Sequence, residues 1–194
     1  MKTAFHTLKF LIGIEKPNAL LTSGEISLIK KYANNRHRGV EIGVLEGFTT
    51  AEIAKSMDAG GVLFAIDPFF KGRLGFSYGE IITNRYLRKE KVFHKVKLIK
   101  KKSSEAAGYL NLDIDFCFID GGHALEDFKR DWDDWSAKLV PQGFIGLHDT
   151  AFVPGRNYNN RELIDYFEKV IKFDSRFEFV DSIDSLNILK KVRF

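Results

Sequence analysis

Four side chains in this 194-residue sequence carry the groups of an acid–base site: Asp120 and His123 in "IDGGH", and His148 and Asp149 in "GLHDT". Each acid closes an apolar run, "IDFCFID" (114–120) or "GFIGLHD" (143–149), that reads as a buried strand. Neighbouring strands lie about 4.8 Å apart, so carboxylates at two adjacent strand ends can converge on one point. Two acids held together repel unless one is protonated or a cation stands between them. An oxygen-rich cluster favours magnesium or manganese over zinc. An imidazole with its ordinary pKa of about 6.5 accepts a proton at neutral pH. The cluster therefore combines acids able to hold a cation with bases able to take a proton.

A second group of residues could hold a ligand. In "VEIGVLEGFTTAEIAKSM" (40–57), Glu41 lies in a strand, and Gly43 and Gly47 span the turn into a helix. Gly43 can take positive φ, and Gly47 lets the helix start close to the strand. The free amides of such a turn attract negative or electron-rich groups. The spacing lacks the middle glycine of a dinucleotide loop, and Glu46 would repel a phosphate, which disfavours a nicotinamide cofactor. No G-K-[ST] follows, so it is not a P-loop. Asp67 ends the run "VLFAID", where an acid can accept both hydroxyls of a ribose or can shape the turn before Pro68. A ligand with an adenosine, no phosphate and a charged amino acid tail suits Glu41, the glycine turn and Asp67 together.

These groups need a scaffold, and the hydrophobic pattern supplies one. Thr22 and Glu25 form a capping-box pair opening a helix to about Asn34. Strands follow at 39–43, 62–67, 96–100, 114–120 and 143–149, and helices at about 48–57, 79–90, from Ser104, over Leu125–Leu139 and from Asn159. That last helix carries Leu163, Ile164, Phe167, Val170 and Ile171 inward. The closing "RFEFVDSIDSLNILKKV" predicts an antiparallel pair about a polar turn. Alternating strands and helices predict an α/β fold, mostly parallel, with helices on both faces and a C-terminal antiparallel strand. The whole of 1–194 reads as one domain, with a helical segment (1–37) ahead of the core (38–194). Ligands of such sheets sit beyond the carboxyl ends of the strands, where strand order reverses. All the chemical residues above lie at that edge.

The segments "VEIGVLEGFTTAEIA", "LFAIDPF" and "FCFIDGGHALEDFKRDWDDWSAKLVPQGFIGLHDT" together resemble the class I S-adenosylmethionine-dependent methyltransferases, with their Rossmann-like seven-stranded sheet. More narrowly they resemble the small-molecule O-methyltransferase branch that includes macrocin O-methyltransferase and relatives of cephalosporin hydroxylase. The likeness runs from about residue 38 to 150. It implies that Glu41, Gly43 and Gly47 border the methionine part of S-adenosyl-L-methionine, that Asp67 holds the ribose, and that Asp120 completes the cofactor site. Ser103, in "KKSSEAA", matches the polar residue beside the adenine; a helix N-cap is its other reading. In metal-dependent relatives, acids at these two strand ends and the neighbouring residue hold a divalent cation. Carried over, that set is Asp120, His148 and Asp149 with Mg2+, although His148 and Thr150 flank Asp149 where relatives carry an oxygen ligand. The reaction implied is methylation of a small-molecule hydroxyl, deprotonated by a base. His123, three residues after Asp120, matches a basic residue of catechol-type relatives, and its other reading is a cap of the helix starting near Ala124. His148 is the alternative base; His6, His37 and His94 read as incidental.

Composition narrows the field without naming an acceptor. The formal charge of +4 allows an anionic ligand without demanding one. The single cysteine, Cys117, permits no internal disulfide and suits a reducing cytoplasm. No run is long enough for a membrane span. The stretch "MKTAFHTLKFLIGIEKP" lacks a clear cleavage site and reads as packing, suited either to cover the site or to pair two subunits as a homodimer. The alternative class is a non-catalytic or nucleic-acid-binding Rossmann-like domain, for which "HKVKLIKKKSS" offers lysines. The acids of the site oppose a polyanion, and no Asn/Asp-Pro-Pro-Tyr-like segment follows the fourth strand. An oxidative enzyme would need an iron triad of the His-x-Asp…His type, which is not evident. Arg73, Arg156 and Tyr158 in flanking loops are candidates to contact the acceptor.

Overall fold

The computed structural model describes residues 2–72, 74–157 and 159–193. Helices α1 (Lys2–Leu11) and α2 (Ser23–Ala33) come first. The alternation follows: β1 (Arg38–Ile42), α3 (Phe48–Ser56), β2 (Val62–Ile66), α4 (Tyr78–Lys89), β3 (Val96–Ile99), α5 (Ser103–Tyr109), β4 (Ile114–Ile119), α6 (Leu125–Lys138), β5 (Leu139–Leu147) and α7 (Arg161–Lys169). Strands β6 (Phe177–Ile183) and β7 (Leu186–Lys191) close the fold. The seven strands form one sheet in the order β3-β2-β1-β4-β5-β7-β6. β7 runs antiparallel to both β5 and β6, and the other pairings are parallel. This is the predicted Rossmann-like sheet, and its order reverses between β1 and β4.

Residue alternation along the strands builds two apolar layers. Leu63, Ala65, Phe116, Phe118 and Ile188 meet α2, α3, α4 and Phe10 of α1 on one face. Val40, Ile42, Cys117, Ile119, Ile145 and Leu147 meet α5, α6 and α7 on the other. On α6 the stripe Phe128, Trp132 and Trp135 is buried, as its helical spacing requires, and each such side chain contributes roughly 1.5–3 kcal/mol. The Thr22–Glu25 capping box forms as read. Cys117 is wholly buried, and burial pushes its thiol pKa well up, which makes it an inert core residue. Among the described residues no helix is long and apolar enough to cross a membrane.

Two boundaries differ from the sequence reading. β5 begins at Leu139, not Gly143; its first residues bend through Gln142 at φ 71°, and the β4–β5 register shifts between Ile114 and Phe116. Such an irregularity hides a strand from a period-two pattern. Helix α7 is capped by Asn160, whose side chain accepts from the Leu163 amide, while Asn159 instead holds both backbone groups of Val153. Val170 consequently leaves the helix and faces solvent, and Ile171 is buried in a short 3-10 turn.

Candidate active site

The parallel hydrogen-bond ladder extends one residue past each strand and sets the site residues in a row. The amides of Asp67, Gly43, Asp120 and His148 donate to Ile99, Ile66, Ile42 and Ile119 at 3.1, 3.0, 2.9 and 3.1 Å. Four chemically distinct positions thus stand side by side at the tips of β2, β1, β4 and β5. Above them lies a cavity of about 510 Å3, within the usual range of ligand sites.

The two glycines of the turn answer to the protein's own packing. Gly43 has φ 88°, and a Cβ there would stand 2.0 Å from the Asp120 carbonyl oxygen. Gly47, at φ 80°, lies against Thr83 of α4, whose methyl would be 2.9 Å from a Cβ at this position. Asp67 then shapes the turn. Its Oδ2 accepts from the amides of Val44 and Leu45 at 3.0 and 3.3 Å, and its Oδ1 from the Phe69 amide at 2.7 Å. A carboxylate offers about four acceptor positions, so one remains for a further donor, where the sequence reading expects two ribose hydroxyls.

Glu41 is wholly buried beneath the loop, on the α3 side of the sheet, and does not line the cavity. Neither of its carboxyl oxygens, nor the nearby Thr50 hydroxyl, forms a hydrogen bond. Burial, with the Asp120 and Asp67 charges adding to it, raises its pKa well above the ordinary value against a smaller opposing effect of Thr50. Burial thus favours the neutral form of this acid over the charged one.

Asp120 and Asp149 converge as the strand geometry predicts, but a histidine and an arginine stand with them. His148 is buried; its Nδ1 is 2.8 Å from Asp120 Oδ1 and 3.7 Å from Asp149 Oδ1, and its Nε2 is 3.5 Å from Glu25 Oε1. Burial alone would lower the His148 pKa, but Asp120 and Glu25 outweigh it and raise it to about 10. Glu25 is buried too, yet the nearby His148, with hydrogen bonds from the Thr22 amide and Ser185, brings it down to about 2. Asp149, at φ 57°, receives Arg156 Nη1 on Oδ1 at 2.8 Å. Its Oδ2 is 3.4 Å from Nδ1 of His123, whose imidazole is 56% exposed. The His123 carbonyl accepts from Asn160, which holds that loop against the α7 cap.

The expected metal set of Asp120, His148 and Asp149 does not fit a magnesium ion. A protonated imidazole has no lone pair to give, and the facing oxygens of Asp120 and Asp149 already bind His148 and Arg156. Among the described residues no group of three or more His, Cys, Asp or Glu side chains is placed to hold a metal. For the same reason His148 is a buried cation rather than a base. Arg156, read as an acceptor contact, neutralises Asp149, and Arg73 and Tyr158 lie outside the described residues.

The cavity roof has no signature in the sequence. Residues Asn18 to Leu21, between α1 and α2, line the cavity. Asn18 donates from its backbone and side chain to Glu46 at 2.5 and 3.0 Å, and His6 Nε2 meets the same carboxylate at 2.9 Å. His6 Nδ1 is 2.6 Å from Glu15, and these two acids raise its pKa, with Glu15 the larger influence. His6 is therefore a hub and not incidental, and Glu46 turns away from the cavity. Ser103 lines the cavity, but its Oγ accepts from Trp135 Nε1 at 2.7 Å. Asp131, unremarked in the sequence, lines the cavity beside it; an acid on the inward stripe of α6, between Phe128 and Trp135, was the available signal. The lysine run is largely occupied: Lys95 caps α3 through three carbonyls, Lys97 lies over Phe64, and Lys100 pairs with Glu80.

Comparison with known proteins bears on this geometry. The sequence profile of a methyltransferase-domain family matches residues 40–150. The chain is 28% identical over 138 residues to y4gI, an uncharacterized protein of Sinorhizobium fredii, a match taking in 69% of this chain and only 15% of that protein. The fold is similar to that of TomG, an O-methyltransferase from Streptomyces achromogenes involved in tomaymycin synthesis and crystallised with SAM. The TM-score is 0.71 at 13% identity, over 99% of this chain and 90% of that one. It is also similar to an rRNA methylase from Streptococcus thermophilus, with a TM-score of 0.63 at 14% identity over 91% and 100% of the two chains. At these identities the structural likeness is one of fold.

Proposed function

This chain belongs to the methyltransferase-domain family, and on that premise we propose that it methylates a hydroxyl of a small-molecule acceptor using S-adenosyl-L-methionine, in the manner of the macrocin O-methyltransferase-like branch. One observation carries the reading: a cavity suited in size and lining to a nucleoside includes an exposed imidazole backed by a partly buried carboxylate.

The residues present fit the cofactor. Asp67 keeps one acceptor position for a ribose hydroxyl, and Ile66, Pro68, Phe70 and residues Asn18 to Leu21 add lining, much of it apolar. Bound, the cofactor would supply a methyl group on a sulfonium sulfur, next to the row of strand tips. His123 then takes the acceptor's hydroxyl proton at Nε2, the nitrogen that does not face Asp149. Asp149 orients the ring and stabilises the imidazolium that results, as an acid does behind any histidine base. Arg156 pairs with Asp149 and His148 with Asp120, so each acid already has a cationic partner within the protein. No step in this scheme passes through magnesium.

Titration calorimetry with S-adenosylmethionine and S-adenosylhomocysteine, with and without magnesium, tests the reading. Micromolar-range binding that ignores magnesium is expected. His123→Ala should keep that binding and lower methyl transfer to phenolic and sugar hydroxyls by roughly 10²–10⁴-fold, the usual contribution of a general base. Absence of binding at millimolar ligand refutes the assignment. Salt-sensitive binding of RNA with no transfer to small acceptors would favour the nucleic-acid alternative.

A further inference from the structure

One acid of the cavity has no part in that scheme. Asp131, on the second turn of α6, is 5% exposed and lines the cavity, yet among the described residues no cationic side chain pairs with it. The adjacent Arg130 points its guanidinium to Asp127 at 3.9 Å. Burial raises the Asp131 pKa to about 6 against the pull of the Ser103 hydroxyl, with Asp127 and Asp134 adding to the rise. Ser103 itself is fixed: its Oγ accepts the proton of the wholly buried Trp135, which leaves its own hydrogen for Asp131. One carboxyl oxygen also lies close over Gly121, 3.3 Å from where a Cβ would be, so the acid sits against the cavity floor just past β4. A buried acceptor with one weak internal partner and an open side calls for an N–H donor from the cavity.

The position says which donor. Asp67 marks the β2 tip, and His123 faces Asp149 just past β5; Asp131 reaches Ser103, which opens α5 just after the edge strand β3, on the far side of β2 from β5. A nucleoside whose ribose meets Asp67 and whose reactive atom faces His123 places its base there. We propose that Asp131 accepts a hydrogen bond from the 6-amino group of the bound base, and that this residue, more than Ser103, selects adenine. The inference rests on the nucleoside reading of the cavity given above. Asp131 touches the ligand but not the reacting atoms, so its role is specificity.

The test compares binding of S-adenosylhomocysteine with that of its analogue carrying unsubstituted purine, which lacks the amine and adds no new donor. Wild-type protein should bind the analogue at least about tenfold more weakly, since a hydrogen bond to a charged group is lost and the acid is left without a partner. Asp131→Ala should bring the ratio of the two affinities close to one, chiefly by weakening the amine-bearing ligand. Asp131→Asn, which keeps an acceptor oxygen, should retain part of the ratio. Should the alanine variant fail to fold by circular dichroism, Asp131→Leu, similar in shape, replaces it. A wild-type ratio near one overturns the proposal, as does a full ratio in Asp131→Ala or Asp131→Leu. Binding of neither ligand to the wild type overturns the nucleoside reading itself, a distinguishable result.

Discussion

Replacing Asp67 by asparagine should destabilise the protein with no ligand present. The carboxylate receives three backbone N–H groups, two on Oδ2 from Val44 and Leu45 and one on Oδ1 from Phe69. Two of those residues are held in left-handed backbone, Leu45 at φ 55° and Phe69 at φ 43°, a conformation that costs a side-chain-bearing residue about 1–2 kcal/mol. Asparagine has one acceptor oxygen. Turned toward Val44 and Leu45, it sets its NH2 against the Phe69 amide; turned the other way, it opposes two amides. At least one charge-assisted bond is lost, about 1.5–3 kcal/mol, and the remaining ones become neutral and weaker. A total of about 3 kcal/mol follows, or roughly 6–12 °C in Tm for a chain of this size. Differential scanning calorimetry of the ligand-free protein measures it, and Asp67→Ala should lie at or beyond the same drop. If Asp67→Asn melts within about 1 °C of wild type while binding S-adenosylhomocysteine far more weakly, Asp67 is a ribose ligand only and the clamp argument is wrong.

Two other outcomes follow from the geometry. The Glu25–His148 pair should make stability depend on pH in a definite sense. Glu25 is depressed from 4.5 to about 2, so its contribution is present above about pH 4.5 and lost as pH falls toward 2. His148 is raised from 6.5 to about 10, so its contribution is complete below about pH 6.5 and lost as pH rises toward 10. Urea midpoints should therefore fall between pH 6 and pH 9 more steeply in wild type than in His148→Gln; equal slopes would remove the pair from the account. Gly43→Ala should fail to give folded, soluble protein, or should lose more than about 4 kcal/mol, because its Cβ would overlap the Asp120 carbonyl oxygen 2.0 Å away. A variant with wild-type Tm would show that the β1 turn and the β4 tip can separate.

The sheet was legible because buried parallel strands leave a strong signature: short apolar runs, each closed by a polar residue and followed by a helical stripe. That pattern alone puts Asp67, Asp120 and Asp149 at strand tips. The same pattern could not say what would meet them there. His148 lies in the run "GLHDT", but its partner Glu25 belongs to a helix far earlier in the chain, and nothing local couples the two. His6 and Glu46 likewise read singly, although they bond across 40 residues. The glycines were recognisable as a close-approach signal, yet spacing alone could not distinguish a ligand from the Asp120 backbone. Pairings distant in sequence carry the charge state of a site, and periodicity records only which way a residue faces.

The amide ladder at the strand tips has a further consequence for how such a site can change. Asp67, Gly43, Asp120 and His148 are registered by the same bonds that hold the strands together, so their spacing is a property of the sheet. The bordering segments at 68–72 and 150–157 are anchored at a few points, through Phe69 to Asp67, Arg156 to Asp149, and the Thr150 and Ala151 amides to Ser185. Substitutions in these borders that spare those anchors would therefore leave the strand tips in alignment, because the sheet alone fixes their spacing.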